Sequence, residues 1–239
     1  MQKIELLAPA RNYECGHEAL LHGADAVYIG APAFGARAAA GNSITDIERL
    51  CREAHVFGGR IYVTFNTILT DDQLEAARRQ ALQLYEAGVD ALIVQDMALA
   101  QMDLPRDLAL HASTQMDNRT PEQVRFLSDA GFEQVVLARE LTLKQIADIH
   151  RAVPEAALEA FVHGALCVSF SGQCYASEYC FGRSANRGAC AQFCRMAFDL
   201  VDADGRTLVR QKHLLSLRDM NRTAGLEEMM DAGISSFKI

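Results

Sequence analysis

Four times in this chain a helix-like stretch meets a glycine turn and runs directly into a short apolar segment. The joints are His22-Gly23-Ala24-Asp25, Ala87-Gly88-Val89-Asp90, Ala130-Gly131-Phe132-Glu133 and Ala232-Gly233-Ile234-Ser235. Helix, tight turn, buried strand is the rhythm of a parallel sheet whose strands are joined by crossover helices. Short apolar or β-rich runs place strands at Ile4–Ala8, Ala26–Gly30, Arg60–Asn66, Ala91–Gln95, Ala109–Ser113, Gln134–Ala138, Leu158–Val162 and Ser236–Ile239. Between them, helical spacing covers Tyr13–His22. A Gly/Ala-rich loop follows Gly30, and a helix capped by Ser43 or Thr45 then runs through Phe57. Thr70-Asp71-Asp72 opens a further helix to Ala87, Thr120-Pro121-Glu122 one to Ala130, and Thr142–Arg151 is the last of this series. Eight strands in this alternation over 239 residues predict a single TIM-type (β/α) barrel, residues 1–239, ending before its last helix. A doubly wound open sheet is the alternative, but no G-x-G-x-x-G follows the first strand.

A second constraint is chemical. Five of the seven cysteines, Cys167, Cys174, Cys180, Cys190 and Cys194, lie in one Gly-, Ser- and Arg-rich stretch after the seventh strand. Core packing does not gather thiols in such a loop. A disulfide framework suits small secreted domains, whereas this chain is long, half apolar and opens without a charged-then-apolar leader, which points to the cytoplasm. Zinc knuckles pair cysteines two to four residues apart, but the intervals here are six, fifteen and three residues from Cys167 through Cys174 and Cys190 to Cys194. An iron–sulfur cluster tolerates irregular spacing. Spacing alone leaves cluster and zinc about even.

Glu159, Phe161, Gly164, Ala165, Cys167, Gly172, Cys174 and Ser177 stand in the order E-x-F-x2-G-[SA]-x-C-x4-G-x-C-x2-S. This resembles the signature of the peptidase U32 family, the collagenase-like proteases. The opening ELLAPARNYECGHEALLHGADAVYIG and the closing GISSFKI resemble that family too, the latter being the segment before its E-G-R motif, at which the chain stops. The older family name implies a protease. The better understood members imply something else: an oxygen-independent hydroxylase with a 4Fe-4S cluster, taking its hydroxyl from prephenate and acting on tRNA, ribosomal RNA or a ubiquinone precursor. Carried over by position, the resemblance makes Cys167, Cys174 and Cys190 cluster ligands, with Cys194 as the fourth and Cys180 as its competitor.

Barrel active sites lie at the C-terminal strand ends, and the Cys-rich loop leaves the seventh strand on that face, so it is expected to roof the mouth. Catalytic candidates there are Glu159, His163 and His111; Asn66, Gln95, Gln115 and Arg139 are candidates to bind substrate. The plainer readings are that both histidines are structural and that the pairs Gln95-Asp96 and Arg139-Glu140 cap the following helices. An inward-facing Glu159 needs a cationic or hydrogen-bonding partner. Arg183, Arg187 and Arg195 interleave with the cysteines, with Glu178 the one acid between Glu159 and Arg195; they are expected to meet a small dicarboxylate or an RNA phosphate. Residues 164–212 form the insertion, whose second part, Ala197 to Arg210, predicts a β-hairpin about an Asp-Gly turn. Cys15 and Cys51 fall on helices as core thiols. The net charge of −8 excludes a uniformly basic nucleic-acid binder, and no apolar run is long enough to span a membrane. A peptidase would need a nucleophile beside a base or an H-E-x-x-H metal site, and neither motif is visible. A non-catalytic binding module is the third reading.

Overall fold

A computed structural model describes residues 4–36 and 41–239; positions 37–40 of the Gly/Ala-rich loop lie outside the described residues. Seven parallel strands come first: β1 (Glu5–Ala10), β2 (Ala26–Gly30), β3 (Arg60–Phe65), β4 (Ala91–Val94), β5 (Ala109–Ala112), β6 (Gln134–Val136) and β7 (Ala157–Phe161). An excursion follows, containing β8 (His163–Gly164), β9 (Phe198–Val201), β10 (Thr207–Lys212) and β11 (Met220–Asn221). The barrel is completed by β12 (Ile234–Lys238). Neighbouring barrel strands pair in parallel, and β12 closes the ring by lying between β7 and β1, with Glu5 opposite Ser236. The eight-strand expectation therefore holds, with strand ends coinciding or differing by at most two residues.

The helices are α1 (Tyr13–Leu21), α2 (Ile44–Val56), α3 (Leu74–Glu86), α4 (Ala98–Gln101), α5 (Pro121–Asp129), α6 (Leu143–Ala152), α7 (Ala176–Phe181) and α8 (Leu226–Asp231). Four of them, α1, α2, α5 and α6, start on side-chain caps. Ser43, rather than Thr45, accepts the Asp46 N–H at 3.1 Å, and Thr142 and Gln145 cap α6 reciprocally. Thr120 accepts the Gln123 N–H at 3.2 Å, with Pro121 at the first helical position where its missing N–H costs nothing. At the end of α3, Gly88 turns with φ +88°, and Val89 donates back to the Leu84 carbonyl at 3.1 Å. The connection from β4 to β5 carries a single short helix, α4, which periodicity did not reveal.

Two apolar layers result. The larger lies between strands and helices, where Val27, Ile29, Val63, Leu92 and Leu158 meet Ile47, Leu50, Ala81, Leu127 and Ile146. Cys51 packs into this layer, and burial pushes its thiol up to about 12. Cys15 is exposed, contrary to its expected burial. A smaller cluster of Leu7, Ala26, Tyr62, Ala91 and Ile93 fills the barrel itself. Gln134, Glu159 and Lys238 are inward and polar, and they form the floor of the site. At the base of the excursion, β8 and β11 pair antiparallel, Gly164 opposite Met220. The expected hairpin is β9 with β10, turning at Gly205 with φ +83°. Among the described residues no helix is long and apolar enough to cross a membrane.

Candidate functional site

Parallel strands present all their C-terminal ends on one face, and residues 166–195 cross it. After β3, Ile68 donates its N–H to the Asn186 carbonyl at 2.9 Å. After β2, the backbone passes so close to Gly188, φ +79°, that a Cβ there would stand 2.6 Å from the Gly35 oxygen. After β5, Gly172, φ +73°, lies against the Gln115 carbonyl, and the Arg119 guanidinium sits 4.6 Å over the Phe170 ring. After β6, Glu140 accepts both the N–H and the hydroxyl of Ser171, the latter at 3.0 Å. The loop thus touches the rim on opposite sides and roofs the mouth, as expected. Two of its seats require glycine, because a Cβ would strike backbone and the φ is left-handed. Gly172→Ala is expected to unseat the roof at a local cost of about 1–3 kcal/mol. Limited proteolysis within 166–195 should rise several-fold with the barrel melt little changed; unaltered cleavage would contradict this seat.

Beneath the roof, Asn66 Nδ2 donates to Ser113 Oγ at 3.3 Å, and its Oδ1 accepts the Ala36 N–H at 2.9 Å. Gln95 Nε2 donates to the Gln115 carbonyl at 3.3 Å, leaving Gln95 Oε1 buried without a partner. Asn66, Gln95, Ser113 and Gln115 are therefore brought together as one polar lip. The acids of the two ambiguous pairs are structural. Asp96 accepts the N–H groups of Ala98 and Leu69 at 2.9 and 2.8 Å, and Glu140 holds Ser171. Arg139 instead lies 3.8 Å over the Phe161 ring, at the mouth.

The floor is an ion pair. Glu159 is fully buried, accepts from Lys238 Nζ at 2.7 Å and from Gln134 Nε2, and so finds the partner its inward position demanded. Lys238 Nζ also lies 4.3 Å from the Tyr28 ring. His111 packs edge-on to Tyr62 with centroids 4.6 Å apart, and its buried Nδ1 has no partner. Burial first, then Lys238 and Arg60, push the His111 imidazole down to about 3, so it is neutral at physiological pH. His163 is exposed on β8 and shares no hydrogen bond with Glu159 or His111. The three catalytic candidates are thus not assembled as one constellation. Lys238, Tyr28 and Gln134 escaped the sequence reading; the signal for Lys238 was a lone cation inside a short apolar run.

All seven cysteines are free thiols. Burial pushes the Cys167 thiol up; the guanidiniums of Arg139 and Arg195 oppose this, and Cys194 and Cys190 add to it as like charges. Three of the expected ligands therefore share one electrostatic neighbourhood with two arginines. Arg195 is fixed there by donating to the Leu166 carbonyl at 2.7 Å. Cys174 is half-buried in the same loop, and Cys180 is exposed on α7. Arg183 and Arg187 are exposed on the roof; Arg183 donates to the Ala189 carbonyl at 3.0 Å and Arg187 reaches Gln73 at 3.5 Å. Among the described residues no group of three or more His, Cys, Asp or Glu side chains is placed to hold a metal ion. The donor chemistry, soft thiols opposed by arginines, fits a group larger than one ion and anionic when bound.

Comparison with known proteins bears on this arrangement. The chain is 56% identical over 237 residues to the 23S rRNA 5-hydroxycytidine C2501 synthase of Escherichia coli, covering 99% of this chain and 36% of that protein. It is 34% identical to a collagenase of Porphyromonas gingivalis, over 99% of this chain and 60% of that one. The chain thus spans between about a third and three fifths of these relatives' own lengths. The solved structure of the U32 peptidase Mk0906 shares the fold at 14% identity, with a TM-score of 0.65 over 100% of this chain and 93% of that one. The profile of Peptidase family U32 matches residues 11–239, and the chain belongs to that family.

Proposed function

We propose that this chain is the barrel of an iron–sulfur RNA hydroxylase, with ribosomal RNA as first substrate and tRNA as second. The observation that carries the reading is the roof: a loop bearing Cys167, Cys174, Cys190 and Cys194 crosses a polar barrel mouth, with the charges of Arg139 and Arg195 acting on Cys167, in a chain 56% identical to a ribosomal RNA hydroxycytidine synthase. Cys167, Cys174, Cys190 and Cys194 would hold a 4Fe-4S cluster, zinc being the lesser alternative. When bound, the cluster supplies the redox chemistry that no side chain here offers. The protein's own part is to bind, orient and exclude water. Arg139, lying over the Phe161 ring, is suited to meet a carboxylate of prephenate, the hydroxyl donor that the family resemblance implies. The unmet Gln95 Oε1, with Asn66 and Gln115, offers hydrogen bonds to a nucleobase edge. His111 and Glu159 act beneath, as a neutral imidazole and an anchored carboxylate that fix the floor around Lys238, while exposed His163 stands at the rim. Arg183 and Arg187 are placed to receive RNA phosphates. An enzyme that modifies RNA belongs in the cytoplasm.

A peptidase reading rests on the names of the family and of the collagenase relative; among the described residues no Ser or Cys is hydrogen-bonded to a His. The deciding experiment is anaerobic purification of the full-length protein with iron and sulfide analysis, then mass spectrometry of RNA incubated with and without prephenate. About four irons and four sulfides per chain and a prephenate-dependent gain of one oxygen on RNA are expected. Zinc, or no metal in a well-folded protein, would overturn the redox reading and return the peptidase to first place.

A further inference from the structure

The roof carries an unpartnered feature that no part of the site described above uses. Helix α7 is six residues long and bears Tyr179 with Tyr175 at its N-cap, four positions apart and hence on one face. Tyr179 is 93% exposed and Tyr175 59% exposed, and neither hydroxyl has a hydrogen-bond partner. A solitary exposed aromatic is ordinary on a protein surface. Two on one short helix are different when exposed guanidiniums follow just beyond its C-cap. Arg183 follows Tyr179 by four positions across the C-cap at Gly182, φ +63°, and Arg187 by eight. Both arginines are exposed, and their contacts to Ala189, Cys190 and Gln73 use only part of their five donors. The sole acid on this helix is Glu178. The chain as a whole carries a net charge of −8, so these two exposed guanidiniums stand on an otherwise acidic protein.

Planar rings offered to solvent, flanked by positioned cations, suit a ligand that is itself planar and anionic at regular intervals. We infer that the Tyr175–Tyr179 face of α7 is a stacking platform for unpaired bases of a single-stranded RNA segment, with Arg183 and Arg187 taking the adjoining phosphates. This rests on the RNA reading above and adds the strand form and the residues that hold it. A double-stranded segment would hide its base faces and gain nothing from the tyrosines. The platform lies on the same loop as the expected cluster ligands, so it would hold nucleotides flanking the one to be modified while that base enters the mouth.

The test is fluorescence anisotropy of a labelled single-stranded pyrimidine RNA with the full-length protein, its salt dependence, and the same RNA annealed to its complement. Tyr179→Ala should weaken single-strand binding about tenfold, the loss of one stacked base, while Tyr179→Phe keeps the ring and the affinity. Arg187→Gln should lower the slope of log affinity against log salt by about 0.7, one phosphate contact on a single strand. The exposure of these side chains leaves folding intact, which the melting temperature of each variant checks. Wild-type protein that binds no RNA overturns the RNA reading and this inference together. Binding that survives Tyr179→Ala and Tyr175→Ala undiminished, or that favours the duplex, overturns the platform alone.

Discussion

Replacing Lys238 by methionine is expected to cost about 3–5 kcal/mol of stability, because it strands the Glu159 carboxylate inside the barrel. Lys238 is 3% exposed and Glu159 is fully buried, so water cannot take over the lost contact. Gln134 still donates one hydrogen bond to Glu159, but it brings no charge. For a chain of this length the loss corresponds to a fall in melting temperature of roughly 10 °C. Glu159→Leu combined with Lys238→Met should recover most of it, since two apolar side chains replace a pair whose attraction was already offset by desolvation. Chemical denaturation of the two single variants and the double variant measures the coupling. If Lys238→Met costs less than about 1 kcal/mol, in the range of exposed pairs, the two groups do not form a buried ion pair.

That pair marks the limit of what could be read from the sequence. The barrel was legible because its signals are local: Ser43, Thr120-Pro121 and Thr142 each cap within a few residues of where they stand, and each glycine turn feeds its own strand. The site at the strand ends was legible for the same reason, once the strands had been placed. Partners distant in sequence were not. Glu159 and Lys238 lie 79 residues apart, and only closure of β12 beside β7 brings them together. The need for a partner at Glu159 was foreseeable from burial; that it would be a lysine in the last strand was not. Cys15 was misplaced because α1 turns it outward, and a nine-residue helix leaves its buried face ambiguous. The seats of the roof were invisible too: Gly172 and Gly188 read as loop glycines, and only the approach of the Gln115 and Gly35 carbonyls shows why a side chain is barred.

The cysteines yield the sharpest expected result, since a cluster either holds its iron or does not. Cys167→Ser, Cys190→Ser and Cys194→Ser should each remove nearly all iron from anaerobically purified protein, and Cys180→Ser should leave it in place. Cys194 and Cys190 act on Cys167 electrostatically, whereas Cys180 is exposed on α7. The charges of Arg139 and Arg195 act on Cys167 and would help balance the charge of the loaded site. Cys174, in the turn just after the Gly172 seat, would complete the proposed four, and Cys174→Ser should likewise lose its iron. Iron and sulfide counts with a visible spectrum on the five single variants read the assignment directly, with each melting temperature separating lost ligation from lost folding. Loss of iron in Cys180→Ser with retention in Cys194→Ser would move the fourth ligand onto α7, beside the tyrosines. The cluster and the RNA platform would then draw on the same six-residue helix.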